Sequence, residues 1–203
     1  LLRDDPSHRV RSAAATALGM FVELAADGKL LSKDREMVKE YLIHVLKDSE
    51  EPLDVRRRSL EALAPLNTSE IKEYIRWAYN SPKVELQCSG FYAMGRSGEA
   101  DWLPLVMKGL SSEDPSVRYE ATNACGALGE EETIPHLVRL LEKDDLEIQL
   151  ATIRALGNIG GLLAKRVLKR CIRTGDAAME ELAIAVLEKV DILDDPIAFK
   201  FNT

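Results

Sequence analysis

The 203 residues include 46% hydrophobic, 30% charged and only 5% aromatic side chains, the balance of a folded, helix-rich protein and not of a disordered chain. No apolar run approaches the roughly 18 residues that span a bilayer, so a soluble protein with no membrane partner is expected. The formal net charge of −7 argues against nucleic acid as a partner, and three cysteines without CxxC spacing fit a reducing, cytoplasmic setting better than a disulfide framework.

In chain order, Leu1-Leu2-Arg3-Asp4-Asp5-Pro6 reads like the close of a repeat, because Leu140-Leu141-Glu142-Lys143-Asp144-Asp145 has the same form inside the chain. A helix around Val10 follows, lengthened by an insertion at residues 25–33. Helix pairs then succeed one another. The pair beginning at Asp114-Pro115 is the clearest, with a helix start that carries Pro in its first turn. Val117, Ala121, Ala124, Cys125 and Leu128 recur at helical spacing, and Gly129 closes that helix. Thr133-Ile134-Pro135 opens its partner, whose apolar face is Ile134, Leu137, Val138, Leu140 and Leu141. Connections of about two to five residues make such partners antiparallel neighbours. Residues 196–199 open a further helix that stops at once, so both ends are expected to cut through a repeat of a longer array.

The pairs share one period. Val55, Leu86, Val117, Ile148 and Met179 follow one another at 31 residues, and Val10 fits the same template with 14 extra residues before Val55. Seven positions after each anchor stand Ala17, Ala62, Ala93, Ala124, Ala155 and Val186; eight after it stand Leu18, Leu63, Met94, Cys125, Leu156 and Leu187. A fixed period in this range marks an array whose units bury their apolar faces only against each other. The units are predicted at roughly 5–50, 51–81, 82–112, 113–143, 144–174 and an incomplete 175–203. Glycines fall in two columns. Gly19, Gly95, Gly126 and Gly157 stand where helices could approach closely, and Gly98, Gly129 and Gly160 where a left-handed residue would end a helix.

Asp114-Pro115-Ser116-Val117-Arg118 followed by Ala124-Cys125-Gly126-Ala127-Leu128-Gly129 resembles the signature of HEAT repeats, in particular the short PBS-lyase HEAT-like class, and Ala155-Leu156-Gly157-Asn158-Ile159-Gly160 is similar to its second half. The resemblance covers essentially the whole chain. It departs at Ala64 and Asn67, which replace the glycines, and at the insertion in the first unit. It implies an all-α fold, an α-solenoid with a right-handed superhelix of antiparallel helix pairs in about six repeats. The first helix of each pair, helix A, would lie on the convex side and the second, helix B, on the concave side. It does not imply one function.

With the apolar face of helix B turned inward, the remaining register predicts one groove column of His44, Trp77, Lys108, Arg139 and Arg170, flanked by Tyr41, Tyr74, Leu105, His136 and Val167. A basic stripe edged with aromatics on an acidic protein suits an acidic protein or peptide partner. The alternative is a solvated helix face whose charges balance the acidic loops.

No catalytic, cofactor or metal motif accompanies this surface. The cysteines fall on apolar columns at Cys125 and Cys171, and His8, His44 and His136 stand in different repeats without HExxH spacing. Acidic runs such as Glu130-Glu131-Glu132 and Asp144-Asp145 occupy inter-helix turns, and Thr68 reads as a helix cap. Deoxyhypusine hydroxylases resemble these repeats but bind iron through His-Glu dipeptides, and here the histidines precede Arg9, Val45 and Leu137. The expectation is a non-catalytic protein-binding scaffold. A regulatory subunit of a bilin lyase-like enzyme and a nucleic-acid-binding HEAT-like protein are the alternatives.

Overall fold

The computed structural model describes residues 1–194, with side chains through residue 191. The second-helix start expected at residues 196–199 therefore lies outside the described residues. The fold is all-α, and among the described residues there is no strand. The chain divides into two compact units, Leu1–Gly98 and Glu99–Thr203.

The first unit contains α1 (His8–Ala26), α2 (Ser32–Lys47), α3 (Leu53–Leu63), a 3₁₀ turn at Ala64–Leu66, α4 (Ser69–Tyr79) and α5 (Val84–Ser97). Here α1, α3 and α5 pack side by side as one layer, and α2 and α4 pack against that layer as the second. The insertion lengthens α1 to 19 residues, against 11 in α3 and 14 in α5. Thr68 caps α4 by accepting a hydrogen bond from the Ile71 N–H.

The second unit holds a 3₁₀ turn at Ala100–Trp102, α6 (Leu103–Gly109), α7 (Pro115–Leu128), another 3₁₀ turn at Glu131–Thr133, α8 (Ile134–Lys143), α9 (Leu146–Ile159), α10 (Gly161–Thr174) and α11 (Ala177–Asp194). Its layers are α7, α9 and α11 on one side and α6, α8 and α10 on the other. Asp114 accepts from the Ser116 and Val117 N–H groups and Asp145 from that of Ile148, so α7 and α9 each start on a carboxylate that also favours the positive end of the helix. The connection from α9 to α10 is shorter than expected, the single residue Gly160. At φ 69° and ψ −158° it occupies backbone space open in practice to glycine alone, which permits so abrupt a reversal.

The repeat columns form the core. Val55, Leu86, Val117, Ile148 and Met179 are all buried, as are Ser59, Ala121, Thr152 and Ala183 four positions later. The hydroxyls of Ser59 and Thr152 donate to the carbonyls of Val55 and Ile148, so these polar atoms are satisfied inside their own helices. A Cβ on Gly126 would lie 2.7 Å from the Ala155 Cα, which shows why that position carries no side chain: α7 and α9 approach backbone to backbone there. The first helix departs from the pattern. Val10 is 37% exposed, Ala17 is exposed and Leu18 only half-buried, because no described helix packs on that side of α1, which buries Ala15, Val22 and Ala25 instead.

Candidate functional site

Four of the eight candidate residues belong to the first unit. Helix α2 buries Val38, Leu42, Ile43, Val45 and Leu46, and this register leaves Tyr41 and His44 exposed. Helix α4 buries Ile71, Ile75 and Ala78, leaving Trp77 38% exposed and Tyr74 half-buried. Tyr74 meets Trp77 edge to face, with ring centroids 6.4 Å apart at 87°. The Arg56 guanidinium sits 5.0 Å from the Trp77 centroid while its Nε donates to the Leu46 carbonyl at 3.1 Å. Trp77 is thus already covered on one face by a cation from α3. Arg3 stands 5.6 Å from the centre of the Tyr41 ring in the same way. Lys47 pairs with Glu70 at 2.8 Å, and that hydrogen bond holds its ammonium above the ordinary lysine range.

The other four belong to the second unit. Ile134, Leu137, Leu140 and Leu141 of α8 are buried, so Arg139 is exposed and His136 half-buried. Lys108 on α6 and Arg139 have no ion pair among the described residues, whereas Arg170 on α10 pairs with Glu142 of α8 at 3.4 Å. Val167 corrects the flanking column: it is buried, because it lies with Ala164, Leu168 and Cys171 on the packing face of α10.

That burial defines a ridge which the 31-residue columns passed over. Helix α10 carries Lys165, Arg166, Lys169, Arg170 and Arg173 and no carboxylate. Arg166, Lys169 and Arg173 are exposed along the side opposite the packing face, and Leu162, 76% exposed, heads the same line four residues before Arg166. Lys165 pairs with Asp191 at 2.6 Å. A count of charge within each helix would have found this ridge, where alignment of single columns between repeats retrieved only Arg170.

Among the described residues, no group of three or more His, Cys, Asp or Glu could hold a metal ion. Cys125 is buried and its thiol is pushed up to about 12 by desolvation; Cys171 is buried and shifted the same way by the same cause. Asp144 is not a solvated turn acid, for it accepts two hydrogen bonds from Arg118 at 2.7 Å each. No described helix is long and apolar enough to cross a membrane.

The HEAT-repeat family matches residues 71–157 and 103–188, more than half of the chain. Among solved structures, an engineered protein is similar over 94% of this chain and 94% of its own length, at 21% identity and a TM-score of 0.57, a likeness of fold. Human deoxyhypusine hydroxylase in complex with glycerol is similar over 93% of this chain and 81% of its own length, at 16% identity and a TM-score of 0.46, too distant to carry an argument. No curated protein sequence matches the chain. With helix pairs stacked through small-residue columns in both units and the repeat match running through residues 71–188, this chain belongs to the HEAT-repeat family.

Proposed function

We propose that the chain is a non-catalytic protein-binding scaffold, cytoplasmic in keeping with three cysteines that form no disulfide framework, and that its helix B surfaces receive an acidic segment of another protein. The observation that carries this reading is α10, which concentrates five cations and no carboxylate in 14 residues of a chain whose net charge is −7. Arg166, Lys169 and Arg173 would meet carboxylates along the ridge, with Leu162 as an apolar contact at one end. Lys108, His136, Arg139 and Arg170 extend the same charge over α6, α8 and α10. By itself, the first unit presents Trp77 with Tyr74 against it on α4, and the exposed Tyr41 and His44 on α2, as an aromatic surface of the kind that anchors protein contacts.

The test is binding of a fluorescein-labelled hexaglutamate peptide, read by anisotropy at low and high salt. Replacing Arg166, Lys169 and Arg173 together by Gln should weaken binding at least tenfold and reduce its salt dependence. Unchanged affinity and salt dependence would reject the ridge as the docking surface.

A further inference from the structure

The two layers made by α1, α3, α5 and by α7, α9, α11 each carry an open groove at the same place in the repeat, and the two grooves hold opposite solutions to one electrostatic problem. In the first unit the groove, of about 310 Å³, is lined by cations that the chain's own carboxylates already pair. Arg96 of α5 reaches the Glu23 carboxylate of α1, and Arg58 pairs with Glu61 at 2.5 Å within α3. Glu61 also accepts a hydrogen bond from the Ser89 hydroxyl.

In the second unit the equivalent groove, of about 560 Å³, has its cations and lacks their carboxylates. Lys189 stands ten residues after anchor Met179, the position Arg96 holds after anchor Leu86. Arg154 stands six after Ile148, where Glu61 stands after Val55, so the acid has been exchanged for a base. The residue at the Glu23 position, thirteen after anchor Val117, is Glu130, but Gly129 ends α7 before it and Glu130 does not line the groove. Gly126, Gly157 and Ala127 line the floor, Asn158 adds an amide, and no carboxylate lines the space. Both cations are exposed and have no ion pair among the described residues.

We infer that this groove is a second docking site, distinct from the α10 ridge, that takes an acidic peptide segment. Its carboxylates would pair with Lys189, as Glu23 pairs with Arg96 in the first unit, and with Arg154, which replaces an acid there. A guanidinium offers two parallel donors to one carboxylate and the ammonium a second contact, so two acidic side chains, or one and a chain terminus, satisfy both cations at once. Val186 gives the segment an apolar wall.

The experiment is isothermal titration with unlabelled hexaglutamate. The parent should bind two peptides per chain. Arg154→Gln with Lys189→Gln should bind one, and the ridge variant lacking Arg166, Lys169 and Arg173 should also bind one, so that failure of either site is seen separately. In the ridge-variant background, adding the two groove substitutions should abolish binding, and Arg154→Lys alone should retain it. All three cations are exposed in the ridge and both in the groove, so circular dichroism should be unchanged throughout. A parent isotherm that the groove substitutions leave intact would overturn the inference. So would a residual site in the ridge variant that inorganic phosphate fills and the peptide does not.

Discussion

Arg118 donates from Nε and Nη2 to the two carboxylate oxygens of Asp144, 2.7 Å each, and from Nη1 to the carbonyls of Ser112 and Glu113, so one guanidinium ties α7 both to the turn before it and to the turn after α8. The arrangement recurs in the first unit, where Arg11 pairs with Glu51 at 2.7 Å and donates to the Asp5 carbonyl. In both cases the Arg follows a repeat anchor by one residue and the acid precedes the next anchor by four. Where the position is Gln, the carbonyl half of the device remains: Gln87 donates to Ser81 and Gln149 to Leu141.

The Arg118 hydrogen bonds hold the Asp144 carboxyl below its ordinary range. Its stabilisation is therefore complete above the unfolded carboxylate value of about 3.9 and is lost as pH falls through the lower folded value. Asp144→Asn should cost about 2 kcal/mol at pH 7 in urea unfolding, and the gap between parent and variant should close progressively below pH 4. A gap that stays constant down to pH 2 would show that the pair contributes no proton-linked stability.

Close approach of α7 and α9 predicts a strict size limit at the column they share. Gly126→Ala, by placing a Cβ 2.7 Å from the Ala155 Cα, should cost roughly 1–3 kcal/mol by overpacking. Ala155→Arg should cost more, about 3 kcal/mol or above, since Ala155 is buried and the new charge would have no partner. Denaturant midpoints equal to the parent for both variants would place the contact elsewhere.

Arg56 shields Trp77, and Trp102 is buried, so the native fluorescence should resist quenching more than the exposure of two surface tryptophans would allow. Arg56→Ala should red-shift the emission and raise acrylamide quenching, at a stability cost of about 0.5–1 kcal/mol. An unchanged spectrum would mean that the guanidinium does not lie on the indole in solution.

Burial of the cysteines predicts their order of reaction. With its thiol pushed up to about 12, Cys125 should hold roughly one thiolate in ten thousand at pH 8 even before access is considered. Half-buried Cys88 should therefore react first with a disulfide reagent, and Cys125 and Cys171 only on unfolding. Fast labelling of Cys125 in the native protein would contradict the packing of α7.

The helices, their caps and the packing columns were legible in the sequence because each depends on spacing within a few residues: Thr68 and Asp114 cap the helices they precede, and Val55, Leu86, Val117 and Ile148 bury where a 31-residue period puts them. The extension of α1 by the insertion was legible for the same reason. What a side chain meets outside its own helix was not. Arg56 over Trp77, Arg118 on Asp144 and Arg96 on Glu23 join residues 21, 26 and 73 positions apart, and such contacts are set by how packed helices bring side chains together. The exposed side of Val10 and the burial of Val167 follow the same rule. A periodic pattern specifies which face of a helix is apolar, but whether that face is covered depends on a neighbour, and only the tertiary structure supplies one.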